Sequence, residues 1–158
     1  MKVLVFGAGR MGAIRVEDLV ADERVDDVIV TNRTLHRAVE LGEKFGATAL
    51  PWDDALATDV DAVVVAVGTD AHDSILKSVL SRGVPVLCEK PIAMTLDATR
   101  EAIDLAAAHG AGLQVGFQRR FDEPLRAIHD RIADGALGTV YSLNLTARDR
   151  APSAREFI

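Results

Sequence analysis

The sequence predicts an α/β fold built as a doubly wound parallel sheet, and three observations predict it. Short valine-rich runs alternate with longer amphipathic stretches along most of the chain. The runs carry almost no polar residues, so both faces of each strand are expected to be buried, as in a parallel sheet with helices on both sides. Glycines and capping residues fall between the runs, where helices have to start and stop.

In order, the first strand is expected over Val3–Phe6, followed by the glycine-rich stretch Gly7 to Gly12 and a helix over Met11–Val20. A second strand, Val28–Thr31, leads to Thr34, a good N-cap, and to a helix over His36–Phe45 that Gly46 ends. Ala62–Val67 is the next strand, with a helix over His72–Arg82 that stops at Gly83. Pro85–Cys88 is followed by Thr95 and a helix over Leu96–His109 ending at Gly110, and Leu113–Val115 closes the pattern. Strand and helix alternate throughout, which is the signature of a doubly wound sheet.

The tail changes character. Phe121, Leu125, Ile128 and Ile132 make one helical face, and the glycines at 135 and 138 break that helix. Val140–Arg148 alternates, with Tyr141, Leu143, Leu145 and Ala147 on one side, and predicts a strand with one wet face. The expected division is residues 1–118 for the first domain and 119–158 for the start of a second. The second part is too short, at about 40 residues, for an independent core.

Composition narrows the function classes. With 18 Lys and Arg against 24 Asp and Glu, the net charge is −6, which argues against nucleic acid as the main partner. The one cysteine, Cys88, excludes an internal disulfide and a multi-cysteine metal site. That usage fits a cytoplasmic protein. No stretch approaches the roughly 18 unbroken apolar residues of a membrane span.

Two motifs carry chemistry. Gly7-Ala8-Gly9-Arg10-Met11-Gly12 is a G-x-G-x-x-G between a strand and a helix. In that context Gly7 permits a tight turn, Gly9 lets backbone approach a pyrophosphate, and Gly12 lets helix pack on strand. Such sites usually hold the ribose with an acid about 20 residues further on. Asn32 stands there instead, followed by Arg33. An amide does not repel a 2′-phosphate and a guanidinium pairs with one, which favours NADP. The other reading, with Arg33 solvated and Asn32 on the ribose of NAD, stays open. The second motif is Glu89-Lys90-Pro91, directly after the run that ends at Cys88. Ligands of open α/β sheets bind beyond the carboxyl ends of strands, so this pair of charges is expected at the edge of a crevice. A solvated ion pair at a strand end is the alternative.

Together "GAGRMG", "CEKP" and "VGFQRRFD" resemble the Gfo/Idh/MocA family of oxidoreductases. The resemblance runs along essentially the whole chain, but over only about the first half of a typical member. It implies a Rossmann domain followed by an α/β domain with an open sheet. It implies hydride transfer between NAD(P) and a sugar, inositol or related polyol, and a homo-oligomer at full length. By the same resemblance Lys90 is the active-site lysine, and a cis Lys90–Pro91 peptide is part of the motif. Gly7, Gly9, Arg10, Met11 and Gly12 fall on the pyrophosphate loop, and Asn32 and Arg33 beside the ribose. Gly68, Thr69 and His72 match the segment lining the nicotinamide ribose, although Gly68 departs from the Thr-Pro or Ser-Pro that members often have there. Glu89, Lys90, Pro91 and Gln118 complete the expected cofactor contacts. Arg119 or Arg120 is a candidate for a substrate hydroxyl or carboxylate, while His36, His109 and His129 are read as structural or solvated. Lys90 is further expected in a partly desolvated crevice. The family's later motif with an Asp and a His lies past a segment like residues 150–158. The chain is therefore expected to be a fragment or a truncated product, and a non-catalytic dinucleotide sensor is the alternative to an enzyme.

Overall fold

A computed structural model describes residues 1–146 of the chain. The backbone divides into two compact units, Met1–Phe117 and Gln118–Ile158.

The first unit is a six-stranded parallel sheet in the order β3-β2-β1-β4-β5-β6. Its strands are β1 (Lys2–Phe6), β2 (Asp27–Thr31), β3 (Thr48–Ala49), β4 (Ala62–Val65), β5 (Val86–Cys88) and β6 (Leu113–Val115). The helices between them are α1 (Arg10–Val20), α2 (Leu35–Phe45), α3 (Trp52–Ala57), α4 (His72–Leu80) and α5 (Leu96–His109). Alternation along each strand sorts the core into two layers. Leu4, Phe6, Ile29, Val63 and Val65 pack with Ala55 of α3, with Ile75, Leu76 and Val79 of α4, and with Ala102 and Ala106 of α5. Val3, Val5, Val28, Val30 and Val64 pack with Val16 of α1 and with Ala38 and Leu41 of α2. The doubly wound Rossmann arrangement expected from the sequence is therefore present.

Boundaries moved by small amounts. β4 stops at Val65 and α4 at Leu80, each two residues short of expectation, and β5 starts at Val86. β3 and α3 were not expected at all. β3 is a two-residue edge strand, too short for a period to show. α3 did leave a signal: Pro51 at its N-cap and Asp53 and Asp54 in its first turn suit the positive end of a helix. Trp52 of α3 meets the Phe6 ring edge-on, with centroids 5.1 Å apart.

The second unit begins with a short 3₁₀ turn, Gln118–Phe121, and α6, Glu123–Ala133. Asp122 caps α6 by accepting from the Leu125 N–H at 3.2 Å. The strand expected over Val140–Arg148 is corrected for residues 140–146, which carry no strand, while 147 and 148 lie outside the described residues. The described part of this unit contains no second extended segment, so no ladder is available to hold it. Among the described residues no helix is long and apolar enough to cross a membrane.

The two-layer core makes a direct contrast between helix positions. Ile75 is 1% exposed at the centre of the first layer, whereas Ile103 of α5 is half exposed. Ile75→Ala is expected to lower unfolding free energy by about 2–5 kcal/mol and Ile103→Ala by about 0.5 kcal/mol or less. Urea titration of both variants checks this, and equal losses would contradict the layer assignment.

Candidate functional site

A row of backbone hydrogen bonds fixes the carboxyl edge of the sheet. The Gly7 N–H donates to Thr31 O at 2.8 Å and the Ala66 N–H to Phe6 O at 2.8 Å. The Glu89 N–H donates to Val65 O at 2.9 Å and the Gly116 N–H to Cys88 O at 2.8 Å. The order of connections reverses between β1 and β4, and that switch point is where such sheets open a crevice.

The three glycines at this point differ in what requires them. Gly7 has φ +117°, and a Cβ there would lie 2.4 Å from Ala66 O. A Cβ on Gly12 would lie 1.9 Å from Gly7 O, so the first turn of α1 is seated directly on the end of β1. Gly9 has ordinary extended backbone (φ −88°), and a Cβ there would meet nothing within 4 Å. The chain's own packing does not need a glycine at 9; the space over it is open. The first-turn N–H groups of α1 receive no capping side chain, and that turn carries no acid. An open backbone surface at an uncapped helix N-terminus fits the pyrophosphate of a dinucleotide. Arg10 and Met11, both exposed, border it.

Asn32 acts first on the loop itself. Its Oδ1 accepts from the Ala8 N–H at 3.3 Å and its Nδ2 donates to Thr34 O at 3.1 Å. Arg33 is exposed but has a partner: its Nη2 donates to Asp70 Oδ2 at 2.8 Å. Asp70 sits in the turn between β4 and α4, beside Gly68 and Thr69. The guanidinium holds the Asp70 carboxyl below the usual carboxylate range.

Glu89 does not pair with Lys90. Its Oε1 accepts from Arg15 Nη2 at 2.8 Å and from Arg15 Nε at 3.2 Å, so the carboxylate ties β5 to α1. Both side chains are largely shielded, at 25% and 13% exposure. Gly116 makes room for it, since a Cβ there would lie 2.9 Å from Glu89 Oε2. Lys90 is exposed, not in the partly desolvated crevice expected of it, because the strand has already left the sheet. The Lys90–Pro91 peptide is cis.

His72, expected among the cofactor contacts, is 1% exposed and faces inward. Its Nδ1 lies 2.9 Å from Pro91 O and 3.2 Å from Ile92 O, and its Nε2 lies 3.2 Å from Val67 O. The buried ring lies between the segment after β5 and the segment after β4 and donates to a carbonyl of one of them, which is a positioning role. Cys88 Sγ lies 3.4 Å from His72 Nδ1, and burial, then the Glu89 charge, pushes the thiol up to about 12, away from nucleophile chemistry. His36, His109 and His129 are exposed on their helices. Gln118, Arg119 and Arg120 fall in the second unit. Arg15 and Asp70 carry no signal along the chain, since their partners are 74 and 37 residues away.

The family pattern described as "Oxidoreductase family, NAD-binding Rossmann fold" matches residues 1–117. The chain belongs to the Gfo/Idh/MocA oxidoreductase family. It is 32% identical over 152 residues to the rhizopine catabolism protein MocA of Rhizobium meliloti, covering 96% of this chain and 48% of that one. It is 35% identical over 154 residues to the myo-inositol dehydrogenase Hyg17 of Streptomyces leeuwenhoekii, covering 96% and 47%. The chain thus spans about half the length of the curated relatives it matches. Among solved structures, it resembles the scyllo-inositol dehydrogenase of Lactobacillus casei with bound NAD(H) and scyllo-inositol. The TM-score is 0.80 at 25% identity, over 87% of this chain and 42% of that one.

The contrast between Gly9 and Gly12 is testable without any ligand. Gly12→Ala is expected to destabilise the chain by at least about 1–3 kcal/mol through backbone overlap, and Gly9→Ala by no more than about 0.5 kcal/mol. Thermal unfolding followed by circular dichroism checks both. A large loss in Gly9→Ala would mean that Gly9 serves the fold rather than an open binding surface.

Proposed function

We propose that this chain is the cofactor-binding part of an NAD(P)-dependent oxidoreductase that acts on an inositol, a sugar or a related polyol. The observation that carries the reading is the open backbone over Gly9 at the uncapped start of α1, on the same sheet edge as Lys90. The known relatives include inositol dehydrogenases, which supports the substrate class. The second unit, from Gln118, would begin the substrate part of the protein.

Gly7, Gly9 and Gly12, with Arg10 and Met11 beside them, would hold the pyrophosphate by backbone N–H groups and the helix dipole. Asn32 and Arg33 would lie at the ribose, where the missing acid leaves room for the 2′-phosphate of NADP as well as for NAD. Gly68, Thr69 and Pro91 would border the way to the reacting end. A nicotinamide dinucleotide, when bound, accepts or donates the hydride.

The chain's own contribution is placement and proton handling. Lys90 Nζ would hydrogen-bond the substrate oxygen, take its proton on oxidation and return it on reduction. Among the described residues Lys90 has no ion-pair partner, because Arg15 already holds the neighbouring carboxylate. Its ammonium is therefore available to a ligand. His72 and the Arg15–Glu89 pair fix the backbone on both sides of it.

In the full-length protein, Lys90→Met is expected to keep cofactor affinity within a few-fold and to cut kcat by roughly 10² or more, the scale of lost acid–base help. Stopped-flow hydride transfer, followed at the reduced-cofactor absorbance with a polyol that the wild type oxidises, is the measurement. A wild-type transfer rate in Lys90→Met would remove Lys90 from the reaction and leave a dinucleotide-binding chain whose strand end is merely solvated.

A further inference from the structure

We propose that Asp70 is a cofactor-specificity residue, which sets the balance between NADP and NAD by holding the Arg33 guanidinium. The proposal rests on the dinucleotide reading above and deepens it.

Read along the chain, Arg33 is a cation standing where an acid would otherwise select NAD. In space the acid is present, but it comes from the far side of the crevice. Asp70 belongs to the turn after β4, and β4 and β2 flank β1 on its two sides. Arg33 and Asp70 meet across that gap and line one depression together with Trp52, Ala71 and Ser74.

Both carboxylate oxygens of Asp70 are accounted for. Oδ2 accepts from Arg33 Nη2 at 2.8 Å. Oδ1 folds back over Gly68, so closely that a Cβ at 68 would lie 2.6 Å from it. The glycine at 68 therefore has a local reason: it gives the carboxylate room to lie back on its own turn and face Arg33. A residue with a Cβ would displace it.

The consequence is a competition. To pair with a ribose 2′-phosphate, Arg33 must leave Asp70, giving up a charge-assisted bond. To accommodate the 2′-hydroxyl of NAD it need not move, because that group carries no charge for the guanidinium to pair with. Other charges stand near the ribose side: Arg37, Glu40 and Lys44 line a separate depression with Ala8. They are shared by both cofactors unless one of them reaches the 2′-phosphate, which the test addresses. Because Arg33 and Asp70 are more than half exposed, their pairing biases the choice modestly, by about three- to fivefold.

The test is fluorescence titration of NADH and NADPH into the wild type, Asp70→Asn, Arg33→Ala and the double variant, at low ionic strength where screening is least. Asp70→Asn is expected to shift the ratio of the two dissociation constants about three- to fivefold toward NADPH. In the Arg33→Ala background the same substitution is expected to leave the ratio unchanged. An unchanged ratio in Asp70→Asn, with both cofactors still bound, overturns the proposal and leaves the dinucleotide reading standing. An equal shift in the Arg33→Ala background also overturns it, because Asp70 would then act without Arg33, with Arg37 or Lys44 as the reader. Failure of the folded wild type to bind either cofactor overturns the dinucleotide reading, and the specificity role with it.

Discussion

The close approach of α1 to the end of β1 is the constraint on which the rest of the site depends. Gly12 lies so near the Gly7 carbonyl that no side chain fits between them, and Gly7 in turn lies close against Ala66, just past the end of β4. A helix that starts this tightly against its strand points its first-turn N–H groups along the carboxyl edge of the sheet. Moving it out by the width of a methyl group would displace the helix dipole from that edge. Gly9 becomes meaningful only within that geometry: two glycines are used up by the fold, and the third leaves backbone bare.

Lys90 is placed by the same logic on the next strand but one. β5 is held in register as far as the Glu89 N–H, which donates to Val65 O. Beyond that bond two side chains govern where the chain goes. Arg15 reaches from α1 to Glu89, so the helix that follows the glycine loop also anchors the strand end that carries the lysine. His72 holds the Pro91 and Ile92 carbonyls from the other side. A shielded pair such as Arg15–Glu89 costs much of its attraction in lost hydration, so its main effect is to fix geometry rather than to add stability. Of the two opposite charges that end this buried strand, the acid is tied to α1 through Arg15 and the base stands exposed.

Much of this was legible in the sequence. Valine runs at β1, β2 and β4 and the stop glycines at 46, 83 and 110 gave the alternation of elements, since burial and the positive φ after a helix act locally. β3 escaped because two residues show no period, and residues 140–146 misled because alternation marks a strand only where a partner strand exists. At the site, G-x-G-x-x-G and Glu89-Lys90-Pro91 were visible as spacing. The partners that decide how those residues act were not. Arg15 with Glu89 and Arg33 with Asp70 are joined only by the stacking order of the sheet, and a lone arginine in a sequence does not say what it faces. His72 was visible as a residue but not as a role, because the helix that carries it could have turned the ring outward.

The central claim is that a dinucleotide lies over Gly9. NADH fluorescence, followed by energy transfer from Trp52, measures it most directly when the wild type is compared with Gly9→Asp. The extended backbone at 9 accepts aspartate without strain, so both proteins should melt alike while only the wild type enhances the emission of NADH. Equal affinity in the two proteins would show that the open surface at the start of α1 is not where the cofactor binds.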